Sequence, residues 1–166
     1  MLVRSFDCAA VQKSFAALPL ATHEPGETVL AAGSRTGRLL ILKKGAVAII
    51  RDGIEIATAS EPGATFGELS ALLDQPHSAD VRAIHTSQFH VAHATALQDP
   101  AALHYVAAIL ARRLDVANQA LVDLKNQIRT GQPHELLNRT VKAMEVLMTA
   151  SGASLVYAGY PFDPYV

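Results

Sequence analysis

The sequence predicts an α+β chain that is mainly β: an antiparallel β-roll or jelly-roll-like barrel, followed by a long helix. Three observations carry this. Short runs rich in Val and Ile are separated by breakers between residues 25 and 94. One breaker, Asp52-Gly53, is a strong hairpin signal, because both central positions of a type I′ turn need positive φ. After Pro100 the apolar spacing changes from two to alternating threes and fours and holds for about three heptads.

The elements follow in order. Asp7 can cap a helix over Cys8 to Leu18, with Val11, Phe15 and Leu18 on one side and Pro19 ending it. Strands are expected at Glu27–Ala32, Arg38–Lys44, Ala46–Arg51, Ile54–Ala59, Ser78–Ile84 and Gln88–Ala94, punctuated by Gly33-Ser34, Lys44-Gly45 and Asp52-Gly53. Pro100 opens a helix running to about Arg129, stopped by Gly131 and Pro133. A second amphipathic helix is expected over Gln132–Ala150, with Leu137, Val141, Met144 and Met148 on one face. Beyond it lies a tail ending in Tyr160-Pro161-Phe162-Asp163-Pro164-Tyr165-Val166, extended in a groove or loose. The chain thus divides into an N-terminal helix (1–19), a roll (20–98), a long helix (99–130), and an extra helix with a tail (131–166).

In the long helix Ala107, Leu110, Leu114, Ala117, Leu121, Leu124 and Ile128 form an a/d seam. A helix of about 30 residues is about 45 Å long, more than a small roll is wide. Its first part packs on the roll, and the stretch from Leu114 to Ile128 is expected to pair with a second copy. The chain is therefore expected to be a homodimer through residues 107–128.

Composition narrows the function. Hydrophobic residues make up 50% of the 166 and charged ones 17%, a surplus that a subunit interface would hide. The net charge is −1 without a basic run, which argues against nucleic-acid and membrane-surface partners. A single cysteine, Cys8, excludes an internal disulfide and reads as a small buried apolar residue. No apolar run approaches the ~18 residues of a membrane span, and no signal peptide opens the chain, so a cytoplasmic location is expected.

Chemistry concentrates between Pro62 and Val81. Gly67 lets the backbone turn tightly and come close to a ligand. Glu68 to Leu73 can form a short helix whose first N–H groups favour an anion, and Ser78 adds a hydroxyl. This reads as a phosphate cradle.

Phe66-Gly67-Glu68-Leu69-Ser70 through Pro76-His77-Ser78-Ala79 resembles the phosphate-binding cassette of the cyclic-nucleotide-binding domain, F-G-E-L followed by Arg-Ser/Thr-Ala. Pro25-Gly26-Glu27 with Gly33, then Leu40–Lys44-Gly45-Ala46-Val47, resembles the opening of that β-roll. Leu110-Ala111-Arg112-Arg113-Leu114 resembles the start of the dimerising helix in bacterial catabolite-activator-like regulators. The likeness covers about residues 20 to 130. It implies that Glu68 accepts the ribose 2′-hydroxyl. It also implies that the backbone of Gly67 and Ala79 and the Ser78 hydroxyl hold the cyclic phosphate, with the long helix as lid. Phe66, Leu69 and Ser70 complete the cassette. The implied ligand is cAMP or cGMP, with no cofactor required.

Two positions depart from the family. His77 stands where the family has its phosphate-binding Arg. An imidazole is mostly neutral at pH 7, and losing a charge-assisted pair costs about 1.5–3 kcal/mol. A bound phosphate would raise the His77 pKa, so binding would weaken as pH rises; an altered ligand or none are the alternatives. At the base end the family offers Thr-Ser, and this chain has Ala117-Asn118, of which only Asn118 can donate and accept hydrogen bonds.

Rival readings are weaker. His85, His90 and His93 are the nearest metal cluster, but His90 and His93 point to opposite faces of one strand. No G-x-S-x-G elbow supports a hydrolase. Glu135–Met148 resembles the first helix of a DNA-binding domain, yet only 18 residues follow Met148, without a basic recognition helix. The expectation is therefore a non-catalytic, homodimeric nucleotide sensor acting through an unidentified protein partner. The alternatives are a ligand-free interaction module on the same fold or a truncated transcription regulator.

Overall fold

The computed structural model describes Phe15 and residues 17–130, apart from the side chains at 127 and 130. The helix expected over 8–18 lies outside the described residues except for Phe15, Ala17 and Leu18. The helix expected over 132–150 and the terminal tail lie outside them altogether.

Among the described residues, eight strands form two four-stranded antiparallel sheets. They are β1 (Leu20–His23), β2 (Thr28–Leu30), β3 (Arg38–Lys44), β4 (Val47–Arg51), β5 (Ile54–Ala59), β6 (Thr65–Phe66), β7 (Asp80–Ala83) and β8 (Ser87–His93). One sheet runs β1-β8-β3-β6 and the other β2-β7-β4-β5. Helix α1 (Glu68–Leu73) follows β6, and helix α2 (Pro100–Thr130) follows a short 3₁₀ turn at Ala94–Gln98. The β-roll with a long helix is the predicted architecture. β1, the two-residue β6 and the 3₁₀ turn are additions, too short to leave a periodic signal. Asp52 and Gly53 have φ of 53° and 79°, the paired positive values that the hairpin signal demands.

The strand β3 explains how the layers meet. Its apolar run, Leu39 to Leu42, is buried on both faces. Leu40 and Leu42 join Leu30, Val47, Val81, Phe66 and Phe89 in one core cluster. Leu39 and Ile41 belong to a second cluster with Phe15, Leu97, Ala102, Tyr105, Val106 and Ile109, which seats the helix on the roll. Side chains alternate across a strand, so a strand with cores on both faces reads as a continuous hydrophobic run.

Helix α2 packs through Ala102, Tyr105, Val106 and Ile109, with Leu110 partly buried. This differs from the expectation that the a/d seam itself meets the roll: Ala107, a seam residue, is exposed. The helix presents two faces, because 105, 106 and 109 lie around the cylinder from 107 and 114 at 3.6 residues per turn. Seam residues Leu114, Leu121, Leu124 and Ile128 are 61%, 50%, 37% and 73% exposed in the single chain.

Candidate ligand-binding site

A cavity of about 270 Å³ lies between α1, the inner wall of the roll and α2. Ligand pockets commonly start near this size. Phe66, Gly67, Glu68, Leu69, Ser70, His77, Ser78 and Ala79 all line it. Eight of the nine residues expected from the sequence are thus brought together. Asn118 is not: it is exposed on α2 and does not line the cavity.

Gly67 sets the entry to α1. Its φ of 82° is left-handed, and a Cβ there would run into the carbonyl oxygen of Arg38 on β3. Only glycine lets the chain turn this tightly against a neighbouring strand. The turn presents Glu68 at the first position of α1, where the helix dipole favours a carboxylate. Ser70 is buried, and its hydroxyl donates to the carbonyl of Gln75 at 2.5 Å, closing the loop after α1. Phe66 packs edge-on against Phe89 and anchors the strand before the turn.

Glu68 is 7% exposed, and its charge is matched from across the cavity. Arg113 of α2 donates through Nη1 to Glu68 Oε1 at 2.6 Å and through Nη2 to the Thr65 carbonyl at 3.1 Å. The Arg113 Nε is buried and has no hydrogen-bond partner among the described residues. One guanidinium therefore ties β6 and α1 to the long helix. Sequence reasoning read Arg112-Arg113 as part of the dimerising helix and did not place Arg113 in the site. Its register, three residues after Leu110 and off the seam, was the available signal.

His77 is buried, at 5% exposure. The β2–β3 loop grips it. Its N–H donates to Ser34 O at 2.8 Å, its carbonyl accepts from Gly33 N at 2.9 Å, and its Nε2 lies 2.8 Å from Thr36 Oγ1. Arg35 Nη1 donates to Asp74 O, and Asp80 accepts from Ala32 N, so the loop holds both flanks of the segment. Burial lowers the His77 pKa from its usual 6.5, and the nearby Glu68 charge opposes that shift without cancelling it. A neutral ring with Nε2 accepting from the Thr36 hydroxyl fits this environment.

The remaining walls are Leu30, Ile49, Ile56, Val81 and Leu110, with Arg51 from the end of β4. The site therefore offers a tight backbone turn, a buried carboxylate paired with a guanidinium, and an apolar slot. Among the described residues no group of three or more His, Cys, Asp or Glu is placed to hold a metal ion. No helix in the described part is long and apolar enough to cross a membrane.

Comparison with known proteins agrees with this fold. The Thermus thermophilus Catabolite Activator Protein is similar with a TM-score of 0.61 and 21% identity, over 85% of this chain and 84% of that one. The N-terminal domain of a transcriptional regulator from Streptomyces coelicolor A3(2) is similar with a TM-score of 0.53 and 26% identity, over 70% and 87%. The cAMP-bound PfPKA-R structure gives 0.51 and 22%, over 72% of this chain; the chain spans only 39% of that protein. These likenesses establish the fold. No curated protein sequence matches the chain. The sequence profile of the cyclic nucleotide-binding domain matches residues 21–99, the roll and its cassette. Over residues 21–99 this chain is a member of the cyclic nucleotide-binding domain family.

Proposed function

We propose that the chain is a non-catalytic sensor that binds a cyclic nucleotide in the cavity beside α1 and dimerises through α2. One observation carries the reading: the buried Glu68 carboxylate, presented by the Gly67 turn and held by Arg113 of the long helix. With Oε1 engaged by Arg113, Oε2 is the acceptor for a ribose hydroxyl. The backbone around Gly67 and Ala79, with the Ser78 hydroxyl, would take the cyclic phosphate. Because Arg113 sits on α2, ligand contact with Glu68 bears directly on the helix that carries the seam, and a shift between two helix positions follows as the output. A phosphate next to His77 favours the protonated ring, so affinity falls as pH rises above the lowered pKa of the unliganded ring.

The dimer is supported by the exposed Leu114, Leu121, Leu124 and Ile128, which follow heptad spacing on one face. A cytoplasmic location and an output through a protein partner complete the proposal. Calorimetry of the full chain with cAMP and cGMP tests it: saturable heat with either supports the sensor, and Glu68→Ala should abolish it. No heat at millimolar concentration of both ligands would overturn it in favour of a ligand-free interaction module.

A further inference from the structure

The ring of His77 has one nitrogen engaged and one open. Nε2 lies 2.8 Å from Thr36 Oγ1 on the β2–β3 loop. Cε1, between the two nitrogens, is 3.3 Å from the position a Cβ on Gly67 would take, so the ring stands against the turn that opens α1. Nδ1 makes no hydrogen bond among the described residues. Nor is it enclosed: the enclosed side-chain atoms without a partner in the described part are His90 Nδ1 and Arg113 Nε. A nitrogen that is neither bonded nor enclosed meets solvent, and the buried His77 lines the cavity.

Thr36 bears on which nitrogen carries the proton. The backbone N–H of Arg38 donates to Thr36 Oγ1 at 3.2 Å. A hydroxyl has one proton and two lone pairs, and with Arg38 N–H on a lone pair its own proton points to Nε2 as acceptor. A neutral imidazole that accepts at one nitrogen donates at the other. The relay from Arg38 N–H through the Thr36 hydroxyl to Nε2 therefore puts the proton on Nδ1, the open side. Burial favours the neutral ring, and Glu68 on α1 is the charge that opposes it, itself paired with Arg113 of α2. The charges on the flanking elements are engaged: Arg35 of the loop pairs with Asp74 after α1, and Asp80 of β7 accepts from Ala32 N. Arg51 of β4 lines the same cavity.

We propose that Thr36 is a positioning residue for the ligand: its hydroxyl holds His77 in the tautomer that offers Nδ1–H to an oxygen of the cyclic phosphate. This rests on the cyclic-nucleotide reading of the cavity. A protonated ring carries Nδ1–H whatever Thr36 does. A neutral ring carries it dependably only while Thr36 donates to Nε2. The contribution of Thr36 is therefore confined to the pH range in which the ring is neutral. There it keeps a directed donor in the site after the charge is gone, so affinity levels off as pH rises further.

Two measurements on the full chain test this. Nitrogen NMR with isotope-labelled histidine reads the tautomer at pH 7.5 without ligand, and His77→Asn identifies the signal by its loss. The expected spectrum has the proton on Nδ1 in the wild-type chain and in Thr36→Ser, and a large share on Nε2 in Thr36→Val. Calorimetry with cAMP and cGMP at pH 7.5 should show Thr36→Val binding about two- to tenfold more weakly, the range of one neutral hydrogen bond, and Thr36→Ser binding as the wild type does. At pH 5.5 the valine deficit should shrink, because a protonated ring donates from Nδ1 without help; a loss of structure would not follow that pattern. Thr36 is exposed, so the variants are expected to fold. A wild-type proton on Nε2, a valine spectrum or affinity identical to wild type, a deficit equal at both pH values, or no rescue by serine would overturn the assignment while the nucleotide site stands. If neither nucleotide binds the wild-type chain, the cyclic-nucleotide reading falls and the role of Thr36 toward a ligand falls with it.

Discussion

The two halves of α2 come from one uninterrupted helix and live in different surroundings. From Ala102 to Ile109 the helix buries Tyr105, Val106 and Ile109 against the roll, each at 3% exposure or less. From Leu114 to Ile128 it carries equally apolar residues that remain largely exposed in the single chain. Arg113 stands at the border and joins the helix to Glu68 in the cavity. The contrast teaches that helix formation and helix docking are separate matters. The first half is held by the domain's own core, the second leaves Leu114, Leu121, Leu124 and Ile128 exposed, and Arg113 meets Glu68 where one regime gives way to the other.

Substitutions in each half should separate these roles. The largest effect belongs to the docked half. Ile109→Ala removes a buried side chain and should cost about 2–5 kcal/mol in chemical denaturation. In the projecting half, Leu121→Glu with Leu124→Glu should leave the roll folded and halve the mass seen by light scattering. An unchanged mass would remove the dimer from the proposal and extend the first half's behaviour to the whole helix.

At the border, Arg113→Ala strands the Glu68 carboxylate at 9% side-chain exposure. Breaking a largely buried pair on one side costs about 3 kcal/mol, toward the lower limit here because Arg113 keeps 18% exposure. Glu68→Gln with Arg113→Ala should recover part of that loss, since no uncompensated carboxylate remains; a double variant no better than the single one would argue against the pair as the link.

The smallest effect is the pH response of the clamped cassette. His77 has a folded pKa below 6.5, so the unfolded chain takes up the proton more readily. Stability is then fully present above about pH 6.5 and falls as the pH drops toward the lowered folded value. Denaturation curves at pH 7.5 and 5.5 should show this loss, and His77→Asn should reduce it. A His77→Asn variant with an identical pH slope would assign the response to other groups.

Much of this was legible in the residues. Asp52-Gly53 announced its hairpin because two consecutive positive φ angles leave few residue choices, and Arg38–Lys44 was bounded correctly because a strand buried on both faces is apolar throughout. The α1 bounds, Glu68–Leu73, followed from the Gly67 turn. The strand β6 was not legible: two residues carry no period, and Thr65-Phe66 pairs with β3 only because the chain returns there.

By itself the sequence determined local conformation and order: where the chain turns, which runs extend, that a long helix follows, and that the Gly67 turn opens a short helix at Glu68. These depend on φ preferences and on periods of two and 3.6, which are properties of neighbours along the chain. Only the tertiary structure decided which distant groups face each other. It brought Arg113 to Glu68 across 45 positions, folded Thr36 onto His77, set Arg51 at the cavity and left Asn118 outside it. The physical reason is that such pairings are fixed by how the roll's two sheets and the docked face of α2 pack, and packing geometry leaves no spacing rule in the sequence.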